Sequence, residues 1–275
     1  MTASDPSAWI GQTETVADRL DPSHTQRIAA TLGEPHPGEG ADLPWLWQWA
    51  FFMNPVGVEA LGPDGHPERG GFLPEAAGRN RMWAGGRLSF HQPLKVGVEA
   101  SRTSTVIAVK DKVGSTGALR FVTVQHEYRQ AGVLAISEQQ DIVYREPSPP
   151  KLVGTQPEPE GQWREAITPS AERLFRYSAV TFNTHRIHYD YPYVTDTEGY
   201  PGLVVHGPMI STYMLAGLLH AHPERRVKEY AYRGLRPLIS PAEFHVGGTI
   251  GEDGRAQVWA AQDGTLAHQG EVTFE

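Results

Sequence analysis

With 275 residues, the chain is long enough for one large domain or two ordinary ones around a substantial core. A net charge of −8, with the arginines scattered rather than gathered on one face, argues against nucleic acid as the main partner. The absence of cysteine removes disulfides, a thiolate nucleophile and Cys-based zinc sites, and fits a cytoplasmic location.

The polar start Met1-Thr2-Ala3-Ser4-Asp5-Pro6 lacks a signal pattern, and no run reaches the roughly 18–20 apolar residues of a membrane span. Residues 9–20 read as extended. Asp21-Pro22-Ser23 then starts a helix, with Asp as N-cap and Pro at the first helical position; it runs through Ile28, Ala29 and Leu32 to a stop at Gly33. Residues 43–53 carry tryptophans at 45, 47 and 49 and alternate like a strand. The Ala50-Phe51-Phe52-Met53 continuation predicts a central helix instead, with these aromatics as core. Residues 54–80 form a long Gly/Pro-rich loop, a kind of segment that is usually functional or mobile.

Residues 87–91, 99–110, 119–130 and 133–144 read as strands, with turn breaks at Gly114, Gly117 and Ala131-Gly132. Residues 147–160 are a proline-rich linker. The order then repeats: an extended stretch at 162–167, a cap-plus-proline helix start at Thr168-Pro169-Ser170, and a loop at 183–201. A helix opens at Gly207-Pro208, and strands follow at 227–238, 242–250, 256–261 and 266–274. Gly11-Gln12 with Asp21-Pro22-Ser23 matches Gly161-Gln162 with Thr168-Pro169-Ser170. Gln92-Pro93-Leu94 matches Arg236-Pro237-Leu238, and Gly132-Val133-Leu134-Ala135 matches Gly264-Thr265-Leu266-Ala267. These matches in one order indicate an internal duplication. The expected fold is α+β: two helix-wrapped-by-antiparallel-sheet units, residues 1–146 and 161–275, side by side.

The chemistry concentrates between 183 and 209. Asn183, His185, Arg186, His188 and Asp190 crowd behind an apolar helical run, and His206-Gly207-Pro208-Met209 follows. His188 can move a proton near neutral pH, Asn183 can orient a water, and the N–H groups at a Gly207 helix start can hold a developing oxyanion. That set suits adding water across a double bond beside a carbonyl, or removing it. His185 and His188 have an i, i+3 metal spacing. Without Cys or a clear third ligand, and with Arg186 between them, no metal is expected. Arg186 and Arg81 could meet a substrate carboxylate or phosphate, and Trp83 beside Gly85-Gly86 could wall the pocket.

Asn183-Thr184-His185-Arg186-Ile187-His188 resembles the D-x-N-P-L-H signature of MaoC-like, type-2 enoyl-CoA hydratases, and His206-Gly207-Pro208-Met209 resembles their H-G-x-L/M helix start. With Leu43-Pro44-Trp45-Leu46-Trp47 and Arg81-Met82-Trp83-Ala84-Gly85-Gly86, the chain is more similar to the hydroxyacyl-thioester dehydratase type 2 subgroup, which includes mesaconyl-C4-CoA and itaconyl-CoA hydratases. The resemblance implies a double hot-dog fold. It also implies hydro-lyase activity on a short branched or dicarboxylic enoyl-CoA, or dehydration of a 3-hydroxyacyl carrier protein. It calls for no cofactor beyond the CoA of the substrate. The signature's Asp falls on Asn183, its Asn on His185, its Pro on Arg186 and its His on His188. Acid–base work is therefore expected of His188, with Asn183 positioning and His206 and Gly207 shaping the oxyanion turn. The first half, with only His36 in the matching region, is read as a non-catalytic wall of the pocket. A thioesterase and a non-catalytic acyl-CoA-binding subunit are the other readings. A duplicated unit pairs its own halves, which allows a monomer or a homodimer.

Overall fold

Two tight turns show how the chain folds into hairpins. Ala131-Gly132 and Asp263-Gly264 all take positive φ (50°, 78°, 54° and 67°), the twist that joins neighbouring antiparallel strands through two residues. The computed structural model describes residues 6–68, 70–75, 78–114 and 117–275. Its strands are β1 (Thr13–Arg19), β2 (Asn80–Phe90), β3 (Glu99–Gly114), β4 (Gly117–Gln130) and β5 (Val133–Arg145) in the first half. In the second half they are β6 (Trp163–Ile167), β7 (Val227–Gly234), β8 (Phe244–Ile250), β9 (Ala256–Gln262) and β10 (Thr265–Phe274). The helices are α1 (Pro22–Leu32), α2 (Ala171–Val180) and α3 (Gly207–Ala221).

The strands form one ten-stranded sheet in the order β1-β3-β4-β5-β2-β7-β10-β9-β8-β6. Read outward from the β2–β7 pair, both arms follow the same connectivity, so the sheet records the duplication. β2 and β7 pair antiparallel from Gly85↔Arg233 to Ser89↔Glu229 and fuse the two arms. Side-chain bulk is excluded at this seam: a Cβ on Gly86 would lie 2.6 Å from the Tyr232 hydroxyl. The linker is tied to the second arm, Glu158 N–H donating to Gly264 O at 2.9 Å.

α3 is buried almost all round, through Met209, Ile210, Tyr213, Met214, Leu215 and Leu218, and is the helix the second arm wraps. The first half differs. The helix expected at 43–53 is only a 3₁₀ turn, Trp47–Ala50, flanked by Leu46 at φ 73° and Phe52 at φ 59°. Left-handed residues on both sides cannot propagate an α-helix. Asp18 holds the distorted end by accepting the Phe52 N–H at 2.8 Å. Leu46, Trp47, Phe51 and Phe52 still fill the core, so the aromatic stretch is buried but not helical. A smaller correction concerns α2, whose N-cap is Ser170, accepting the Arg173 N–H at 3.3 Å, rather than Thr168. Its Pro169 lies before the cap.

Candidate active site

The end of α2 sets up the site. Phe182 takes φ 49°, the chain turns back, and Asn183 N–H donates to Ser178 O at 2.8 Å. The Asn183 side chain closes an Asx turn: its Oδ1 accepts the His185 N–H at 2.9 Å. A 3₁₀ turn, Arg186–His188, then carries His188 inward, where it is buried. His188 Nδ1 donates to the Val204 carbonyl at 2.7 Å. A carbonyl can only accept, so Nδ1 carries the proton and Nε2 keeps the lone pair. Burial lowers the His188 pKa to about 4, against the opposing pull of the Val204 hydrogen bond. The ring is a neutral base at neutral pH.

His206 is the residue before α3 and is fully buried. Its ring stacks on His188 at 3.7 Å and 18°, and its Nε2 is hydrogen-bonded to Ser178 Oγ at 2.8 Å. It does not cap α3 with its side chain. Burial holds it well below the usual histidine range. Together with Ser178 it backs the His188 ring.

Gly207 opens α3 beneath an indole from the first half. A Cβ at Gly207 would sit 2.7 Å from a ring carbon of Trp83. Trp83 stacks on Tyr232 at 4.7 Å and receives the edge of Trp49 at 5.6 Å. Trp49 is held by its Nε1–H, 2.9 Å from Glu138 Oε1. Glu138 is fully buried and also accepts from Tyr128 OH and Gln140 Nε2. The first turn of α3 thus faces a wall of three packed aromatic rings.

The long loop supplies the last group. His66 lies 4.0 Å from His185 between ring centroids, and His185 meets His188 edge to face at 5.3 Å. Asp64 Oδ2 is 3.1 Å from His66 Nδ1. Burial lowers the His185 pKa, the neighbouring imidazoles and Arg81 push the same way, and Asp64 opposes them. Asp64, His66 and His185 present ligand atoms within 4.8 Å of one another, a spacing a cation could use.

The hydroxyacyl-thioester dehydratase type 2 family model matches residues 46–240 of this sequence. The mesaconyl-C(4)-CoA hydratase of Chloroflexus aurantiacus is 42% identical over 251 residues, covering 90% of this chain and 89% of its own. This chain belongs to the hydroxyacyl-thioester dehydratase type 2 family. The mitochondrial hydroxyacyl-thioester dehydratase type 2 of Schizosaccharomyces pombe is 28% identical over 190 residues, covering 60% of this chain and 61% of its own. The fold is that of a MaoC-like dehydratase from Phytophthora capsici, with a TM-score of 0.70 at 14% identity over 97% of this chain and 96% of that one. The hot-dog architecture expected from the sequence is therefore the one observed.

In this dehydratase-family chain the structure brings His188, His206, His185, Gly207 and Trp83 into one cluster, with Asn183 shaping the turn that carries them. Arg186 is committed elsewhere. Its Nε and Nη2 hold Asp190 at 2.9 and 2.8 Å, Nη1 donates to Pro63 O at 3.0 Å, and the guanidinium lies 4.0 Å over Tyr193. Asp190, the carboxylate two residues past His188, spends its oxygens on Arg186 and the Tyr193 N–H. Arg81, half-buried on β2, projects its charge onto His185. Sequence reasoning missed Asp64, His66, Ser178, Trp49, Tyr232 and Glu138. For the first two a signal existed: two titratable residues around Gly65 in a loop too long to be a plain connection.

Proposed function

We propose that this protein is a hydro-lyase that adds water across the double bond of a short dicarboxylic enoyl-CoA of the mesaconyl-C4-CoA type, or removes it. The observation that carries the reading is the tautomer-locked, desolvated His188 beside the Gly207 helix start. The thioester oxygen accepts a hydrogen bond from the Gly207 N–H, which stabilises the enolate as charge builds. Water held by Asn183 and His188 Nε2 gives its proton to Nε2 while its oxygen bonds to Cβ. The same nitrogen then returns that proton to Cα, leaving His188 neutral. Trp83 screens the reacting carbons from bulk water.

The 42% identity to a hydratase named for such a substrate supports a dicarboxylic acyl group, and Arg81 on β2 is the arginine proposed to meet its distal carboxylate. The chemistry calls for no resident cofactor. Incubation with mesaconyl-C4-CoA, followed by loss of enoyl absorbance and mass gain of one water, tests the reading. Release of free CoA thiol without hydration would replace it with a thioesterase. Turnover only of carrier-protein esters would move the substrate to the acyl carrier form.

A further inference from the structure

The signature to which this chain is similar has a carboxylate where the chain has Asn183, and the Asn183 oxygen is taken by the His185 N–H. A carboxylate does stand beside these imidazoles, and it comes from the other half of the chain. Arg186 N–H donates to Asp64 O at 2.9 Å, Thr184 Oγ1 donates to Gly65 O, and Arg186 Nη1 reaches Pro63 O. These bonds dock residues 63–66 on the catalytic turn. Gly65 has φ 85°, and a Cβ there would collide with the Thr184 carbonyl, so the docking is built around a glycine. Asp64 then accepts two bonds from His66, one from the backbone N–H at 3.0 Å and one from Nδ1 at 3.1 Å. Beyond His66 the rings continue through His185 and His188 to His206.

We propose that Asp64 is the carboxylate partner of this row of imidazoles, a positioning residue that fixes the His66 ring and, through it, the orientation of His185 beside His188. Its catalytic consequence rests on the hydration reading; its structural half does not. Burial pushes the Asp64 carboxyl up, but the hydrogen bonds and charge of His66 outweigh it, so the group stays ionised. When His188 takes the proton of water, a cation forms in a buried place. The charge of His66 works against that cation, so Asp64 helps by holding the His66 and His185 rings in place beside His188.

The test compares Asp64→Asn and Asp64→Glu in the full chain, with His66→Asn in reserve should Asp64→Asn not fold. Without substrate, Asp64→Asn should move the imidazole ¹⁵N signals of His66 and His185. With mesaconyl-C4-CoA it should lower kcat by at least about ten-fold, less than the roughly 10²–10⁴-fold worth of an acid–base group itself. KM should stay within about two-fold. Asp64→Glu should recover much of kcat. Unchanged imidazole signals, wild-type kcat in Asp64→Asn, or no recovery at all in Asp64→Glu would overturn the assignment. So would stoichiometric Zn²⁺ in the wild type together with loss of activity on chelation, because the three residues would then be a cation site. If the wild-type chain hydrates no enoyl-CoA, the hydration reading has failed, and the imidazole spectrum alone decides the place of Asp64.

Discussion

In the proposed mechanism His188 carries the chemistry, because two local facts act on one ring. The Val204 carbonyl fixes its proton on Nδ1, and burial keeps it neutral. His188→Ala should lower turnover by roughly 10²–10⁴-fold while the melting curve stays cooperative; near-normal rates would remove the residue from the mechanism. Arg81 gives a separate handle on specificity. If it meets the distal carboxylate, Arg81→Gln should raise KM for mesaconyl-C4-CoA far more than for a monocarboxylic enoyl-CoA of similar length. Equal effects on both would assign Arg81 to structure. Gly207 is constrained by space rather than by φ. Gly207→Ala pushes a methyl into Trp83 and should cost about 1–3 kcal/mol of stability as overpacking, measured by denaturant titration, together with a loss of turnover. The placing of His188 beside the Gly207 helix start was legible in the sequence, because residue type and spacing suggest a proton carrier next to an oxyanion turn. Asp64 was not, because it lies more than a hundred positions from His185 and only chain docking brings it near.

At the scale of elements, the first half gives up its central helix. Leu46 and Phe52 are left-handed, the tryptophans spread sideways, and Trp49 reaches Trp83 and Glu138 instead of lying along a helix face. The loop after them crosses to the turn that carries His188. Gly65→Ala should break that crossing through both the collision and the unfavourable φ. The expected result is faster proteolytic nicking within residues 61–68 together with reduced kcat; a protected loop with full activity would show that the docking is dispensable. The duplication itself was readable from Pro and Gly positions, because turns need those residues wherever they recur. The helix was misjudged because its composition satisfies helix burial as well as it satisfies an irregular aromatic plug, and periodicity cannot separate the two.

Across the whole molecule, several histidines are buried in neutral form. Burial depresses His188 and His268 to about 4 and His126 to about 3, and holds His206 well below its ordinary value. The unfolded chain, with histidines near 6.5, binds protons that the folded one refuses. Stability contributed by these groups is therefore complete above about pH 6.5 and is lost as pH falls towards 4. Melting temperature should drop steeply through that window, and substitution of His126, remote from the turn that carries His188, by Gln should flatten the drop; a pH-independent melting point would contradict the buried neutral state. By itself the sequence determined the duplicated α+β plan, the helix start at Gly207 and the histidine suited to proton transfer, because turn chemistry, capping and side-chain pKa are local properties. Only the tertiary structure decided which carboxylate stands beside the imidazoles, which indole covers Gly207 and which arginine is tied up in loop docking. Those outcomes depend on two halves meeting along β2 and β7, and contacts made at that distance in sequence leave no local pattern to read.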